Sequence, residues 1–102
     1  MRVEWSEPAL EDLENLRSHI ARDSPVYARQ FIDRIFEAAT RLTAFPELGR
    51  LVPEADRSDV REVIFHGYRV IWCLGKDTVF IVTVLHGSRD LAGFERKPWQ
   101  IV

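Results

Sequence analysis

Cysteine is nearly missing from this chain: Cys73 is the only one among 102 residues, so no internal disulfide can form. Without that staple the chain is expected in a reducing compartment, the cytoplasm. Long hydrophobic runs are missing too. The longest, Val63 to Phe65 and Val79 to Leu85, fall far short of the roughly 18 apolar residues that cross a bilayer, so no membrane partner is expected. The first residues, Met1-Arg2-Val3-Glu4-Trp5, carry an acid and no apolar core and do not read as a secretory signal. Lysine is scarce, two residues against twelve arginines, and the net charge is −2, which argues against a free-standing, tight nucleic-acid binder. Three scattered histidines and one cysteine show no metal-ligand spacing, and no metal or cofactor is expected.

What is present describes a packed globule. The chain is 46% hydrophobic and 29% charged, with five glycines and five prolines, a balance unlike disordered or fibrous segments. Its length suits one domain that buries roughly two thirds of its unfolded surface. Charge is unevenly shared: residues 1–49 hold six bases against nine acids, residues 50–102 eight against seven. An anion-seeking surface therefore belongs in the second half.

Arg2 to Trp5 alternates polar and apolar, as a short strand does. Ser6 is placed to cap a helix with Pro8 in its first turn, and Ala9, Leu13, Leu16 and Ile20 give that helix an apolar stripe to about Arg22, with Glu11, Asp12, Glu14 and Arg17 left to solvent. Asp23-Ser24-Pro25 breaks and restarts it. A second, longer helix is predicted from Tyr27, Phe31, Ile35, Ala38, Leu42 and Phe45, stopped by Pro46; the pair should form an antiparallel hairpin. Residues 46–58 read as a loop. Three β-like runs follow, Val60 to His66, Tyr68 to Leu74 and Thr78 to Leu85, joined by hairpin-length turns: an antiparallel meander. The fold class is α+β, with a domain over residues 1–90 and a polar tail over 91–102 that regains apolar character at Trp99, Ile101 and Val102.

The last two runs are apolar on both faces, where a sheet with one wet face would alternate. Either the tail covers the second face, or an apolar patch there docks a partner.

Strand, helix hairpin, the loop motif Pro46-Glu47-Leu48-Gly49-Arg50, then Val60-Arg61, Gly67-Tyr68-Arg69-Val70-Ile71-Trp72 and a last strand running into His86-Gly87-Ser88-Arg89-Asp90 resemble the RelE/ParE toxins of type II toxin–antitoxin modules, over residues 1 to about 90. The Ser-Pro between the helices, Pro-x-x-Gly-Arg and His-Gly-x-Arg resemble the ParE, plasmid-stabilisation branch more than the RelE branch. The resemblance implies a cognate antitoxin as partner, with operator DNA reached only through it. It also implies one of two targets: ParE members poison DNA gyrase, whereas RelE members cut messenger RNA on the ribosome. A homologue that has lost toxicity and only binds antitoxin is a third alternative.

RNA cleavage by a 2′-hydroxyl needs a base, an acid and cations for the phosphate. The candidate pieces are Arg50, Arg61, Arg69 and His86. By its place in the Tyr-Arg-Val-Ile motif, Arg69 matches an arginine that nuclease members use on phosphate; His86 falls near their catalytic histidine or tyrosine. The set is incomplete and the loop is acidic apart from Arg50 and Arg57, so inhibition by binding is the expectation. Residues offered to a target or antitoxin are Arg69, Trp72, His86, Arg89 and Trp99. Each has a structural alternative: Arg69 as an exposed pair with Glu62 across the hairpin, His86 as a turn residue, Arg89 paired with Asp90, Trp5 and Trp72 in the core, and Trp99 as a lid on the sheet.

Overall fold

The computed structural model describes residues 1–101; Val102 lies outside them. A strand, β1 (Arg2–Trp5), leads into two helices, α1 (Glu7–Ala21) and α2 (Pro25–Thr40). Four more strands follow: β2 (Arg50–Leu51), β3 (Val60–Phe65), β4 (Tyr68–Leu74) and β5 (Thr78–His86). One sheet holds all five in the order β1-β5-β4-β3-β2, with β1 parallel to β5 and the remaining pairs antiparallel. The α+β class and the β3–β4–β5 meander are as expected. The meander is wider than expected, however: β2, a two-residue strand inside the segment predicted to be loop, pairs Arg50 with Glu62 and Leu51 with Arg61.

The helix starts follow from their caps. Ser6 Oγ accepts the Ala9 N–H and Ser24 Oγ accepts the Tyr27 N–H, each at 3.1 Å, and Pro8 and Pro25 sit in first turns, where a missing N–H costs nothing. Ser6 also ties α1 to the sheet, its hydroxyl donating to the Val82 carbonyl. The buried stripe of α2 is Ala28, Phe31, Ile35 and Ala39, continued by Leu42. This corrects the expected stripe: Tyr27 and Phe45 are exposed, and α2 gives way to a 3-10 turn, Arg41–Thr43, well before Pro46. The hydroxyls of Thr40 and Thr43 donate to the carbonyls of Phe36 and Thr40, competing with the helical ladder where it tightens.

Side chains alternate across a strand, so the sheet has two interiors. On the helix side, Val70, Trp72, Val79, Ile81 and Val84 pack with Ala9, Leu13, Leu16, Phe31 and Ile35. On the other side Val60, Ile71, Cys73, Val82 and Leu85 pack under Val52, Leu91 and Trp99. The tail is thus the cover of the second face: Trp99 is 4% exposed and Leu91 1%. Lys97 pins it, its ammonium donating to the carbonyls of Leu91, Ala92 and Phe94. Burial among apolar groups pushes the Cys73 thiol up to about 11, leaving it a neutral core residue.

The β3–β4 turn is His66-Gly67, both with positive φ (49° and 85°), the pairing that a two-residue hairpin turn demands. Gly49 is required by space rather than torsion, since a Cβ there would run into the Glu62 carbonyl and the Trp72 ring. Among the described residues, no helix is long and apolar enough to cross a membrane.

Candidate functional site

The residues singled out from sequence fall into two places. The first lies on the second face, where β2, β3 and β4 meet. Glu62 is fully buried and its two carboxylate oxygens are taken by different arginines, Oε2 by Arg50 Nε at 2.9 Å and Oε1 by Arg69 Nε. Arg69 uses its remaining fork on Glu54, with Nη1 and Nη2 each donating at 2.8 Å. That bidentate geometry is the strongest arrangement a guanidinium and a carboxylate form. It holds the Glu54 carboxyl down at about 2 and pushes the Arg69 guanidinium further up. Two arginines and two glutamates therefore sum to zero charge.

This corrects the exposed Arg69–Glu62 pair. The pair exists, but the Arg69 side chain is 8% exposed and Glu62 0%, because the 52–57 segment folds over it and brings a second carboxylate. An exposed pair is worth under about 1 kcal/mol. Removing one partner of a buried pair costs about 3–5 kcal/mol, since the other charge is left uncompensated.

Arg61 does not join this cluster. It pairs in register with Trp72 on the helix side, the face opposite to Arg69, and its Nη1 donates to the Gly49 carbonyl at 3.3 Å. Its Nε is buried without a partner among the described residues. His86 is also on the other face, opposite Tyr68, and its Nδ1 accepts the Ser88 N–H at 3.1 Å and lies 2.6 Å from Ser88 Oγ. It closes the turn after β5. Of the four candidates for RNA chemistry, the fold brings together only Arg50 and Arg69; Arg69 is buried between Glu62 and Glu54, while Arg50 gives its Nε to Glu62 and is otherwise exposed.

The Pro-Glu-Leu-Gly-Arg motif likewise has a structural account. The Pro46 carbonyl accepts the Trp72 indole N–H at 3.0 Å, Gly49 makes room for that ring, and Arg50 reaches Glu62. Trp72 is wholly buried and Trp99 nearly so, which corrects their assignment to a target or antitoxin: neither presents a surface to a partner.

The second place is the far end of β5. β1 stops at Trp5, opposite Ile81, so the next part of β5 has no neighbouring strand on that edge. Asp12 fills part of the gap, its Oδ2 accepting Thr83 Oγ1 at 2.6 Å and the Val84 N–H at 3.1 Å. Asp12, expected in solvent, is instead half-buried, and burial raises its carboxyl despite those donors. Its position was a signal: three residues after Ala9 and four before Leu16, it borders the apolar stripe. Arg89 does not pair with Asp90. Its guanidinium lies over the Phe94 ring, 4.9 Å from the centroid, and Asp90 caps the Leu91–Gly93 turn through the Ala92 N–H. Glu54 was missed because nothing in a loop without periodicity marks which acid folds back.

The fold and the order of these motifs define a small α+β toxin of the RelE/ParE superfamily. A family model described as the ParE toxin of the type II toxin–antitoxin system, parDE, matches residues 3–91. The protein called Toxin RelE2 of Caulobacter vibrioides is 33% identical over 89 residues, which span 86% of this chain and 97% of that one. The chain belongs to the ParE toxin family of type II toxin–antitoxin systems. Solved structures share its fold, two of them toxin–antitoxin systems. One is the chromosomal ParDE toxin–antitoxin system of P. aeruginosa, with a TM-score of 0.70 at 19% identity over 84% of this chain and 95% of that one. The other is the RelBE2 complex of Mycobacterium tuberculosis, with a TM-score of 0.60 at 21% identity over 83% and 95%.

Proposed function

We propose that this protein is a toxin that arrests growth by binding an essential cytoplasmic enzyme, DNA gyrase, and that a cognate antitoxin protein silences it. The observation that carries the choice of binding over bond cleavage is the state of Arg69. Each of its three nitrogens is engaged by Glu62 or Glu54 and the side chain is 8% exposed, so its charge is neutralised and its fork is turned to carboxylates rather than to a scissile phosphate. Arg50 lies beside it, but Arg61 is on the opposite face of the sheet and His86 closes a turn there. A general base, a general acid and a cation do not converge on one point, which is what RNA cleavage needs.

The alternative, a ribosome-dependent endonuclease, is favoured by one specific likeness, the curated relative named for RelE. The test is induced expression in a bacterial host without antitoxin, for the natural chain and for His86→Ala, an exposed change that leaves the core untouched. Relaxed or broken DNA with intact transcripts in both proteins is the expected result. Transcripts cut only during translation, and spared by His86→Ala, would replace this reading with the nuclease. Normal growth on expression would replace it with a non-toxic, antitoxin-binding homologue.

A further inference from the structure

Beside the unpaired end of β5 a cavity of about 280 Å³ opens between that strand and the second half of α1. Asp12, His19, Tyr68, His86, Arg89 and Phe94 are among its lining residues. His19 and Tyr68 also line a neighbouring cavity of about 610 Å³ with Tyr27, Phe31 and His66, so the two adjoin across these side chains. All three histidines of the chain line this pair of cavities, and none is explained by the function proposed above.

The β5 end is rich in donors. Arg89 lies over Phe94, and among the described residues no carboxylate is within ion-pair distance of it; Asp12, across the same cavity, is near enough to feel its charge. The Ser88 N–H donation to His86 Nδ1 leaves Nε2 as the protonated nitrogen of the neutral ring. Strand alternation turns the His86 N–H to the same edge as the Val84 N–H, beyond the end of β1, where no strand accepts it. The acid at this end, Asp12, already accepts two donors with one oxygen. The other end is aromatic: Tyr27 is 45% exposed, and behind it Phe31 meets Tyr68 edge-to-face and His66 at a tilt, with Asp23 among the lining residues.

We propose that the two adjoining cavities are a nucleotide site, in which Arg89 and His86 hold a phosphate group and the Tyr27–Tyr68 end receives a ring. A fork of guanidinium donors with an imidazole beside it suits the several oxygens of a phosphate better than one carboxylate. Base stacking on exposed aromatic faces tolerates any base. The phosphate end, about 280 Å³, is close to the roughly 300 Å³ at which ligand pockets begin, and the adjoining cavity of about 610 Å³ leaves room for the ring of one nucleotide but not for a duplex. The ligand is a free nucleotide or the phosphorylated end of a single strand.

The test is a titration of the full, isotope-labelled chain, followed by amide NMR, with AMP, inorganic phosphate, adenosine and a 5′-phosphorylated trinucleotide. AMP is expected to shift Tyr27, Tyr68, His86 and Arg89, phosphate only the β5 end, and adenosine to bind about tenfold more weakly than AMP. Arg89→Gln should weaken AMP about tenfold, whereas Arg29→Gln, on the outer helix surface, should not. A trinucleotide that binds more tightly than AMP assigns the site to strand ends, and equal affinity assigns it to free nucleotides. Absence of AMP shifts at millimolar concentration, shifts at Arg50 instead, or an acidic dipeptide binding the same residues as tightly as AMP would overturn the proposal.

Discussion

Arg69 and Arg89 are both conspicuous in the sequence, one inside a motif and one just after the last strand, and their surroundings are opposite. Arg69 is 6% exposed and has three donors on two carboxylates; Arg89 is exposed, rests on an aromatic ring and, among the described residues, makes no ion pair, with Asp12 near enough only to feel its charge. A motif position fixes where a side chain leaves the backbone. What the side chain can still bind depends on which acids fold onto it, and for Arg69 the deciding residue, Glu54, comes from fifteen positions away in an irregular segment.

The largest effect expected from that contrast is on stability. Arg69→Ala leaves the buried Glu62 with Arg50 alone and takes away the arginine that holds Glu54, and should lose about 3–5 kcal/mol, read as a lower urea midpoint at unchanged slope. Arg69→Met combined with Glu62→Met removes the buried pair together and leaves Arg50 and Glu54, 63% and 34% exposed, to solvent, so it should recover most of the loss. A double variant no better than Arg69→Ala would mean that packing, not charge, holds this corner.

Trp99→Ala should cost a similar amount, about 3–5 kcal/mol, because the indole closes the second core. Loss of under about 1 kcal/mol would mean that residues 91–101 do not lie on the sheet in solution. At Asp12 the expectation splits. Asp12→Ala forfeits two hydrogen bonds and leaves a half-buried edge unsatisfied, about 1–3 kcal/mol, whereas Asp12→Asn keeps an acceptor and relieves the burial of a charge, so it should cost less. The order of the two variants in chemical unfolding checks this.

The pH dependence follows from Glu54. Its folded carboxyl lies near 2, below the ordinary 4.5, so the folded state binds fewer protons than the unfolded one across that interval. Stability from this group is complete above about pH 4.5 and is lost as pH falls toward 2. Glu54→Gln should flatten the acid limb of the unfolding free energy. The smallest effect belongs to Arg89→Ala, below about 1 kcal/mol, as for one exposed cation on a ring.

Much of the frame was legible from local rules. Ser6 and Ser24 with their prolines marked the helix starts, and the two-sided apolar character of β4 and β5 implied a covered second face, which the tail supplies. Helix period is a coarser guide: Tyr27 and Phe45 lie near the stripe on a wheel, but the last turn tightens and the chain leaves the helix before Pro46. The partners of the candidate residues were less legible still. Strand parity could have separated Arg61 from Arg69 once the hairpin register was known, since they lie on opposite faces of paired strands. The closure of Glu54 over Arg69, the Asp12 clasp on β5 and the Phe94 seat of Arg89 are contacts between irregular or distant segments, and no period records them.

The central claim is that the cationic residues of the second face hold the fold and do not cut RNA. It is met most directly by incubating purified toxin with programmed ribosomes and following the messenger by primer extension, with gyrase supercoiling measured on the same preparation. The account expects an intact messenger and inhibited supercoiling. Cleavage in the ribosomal A site, with gyrase unaffected, would contradict it.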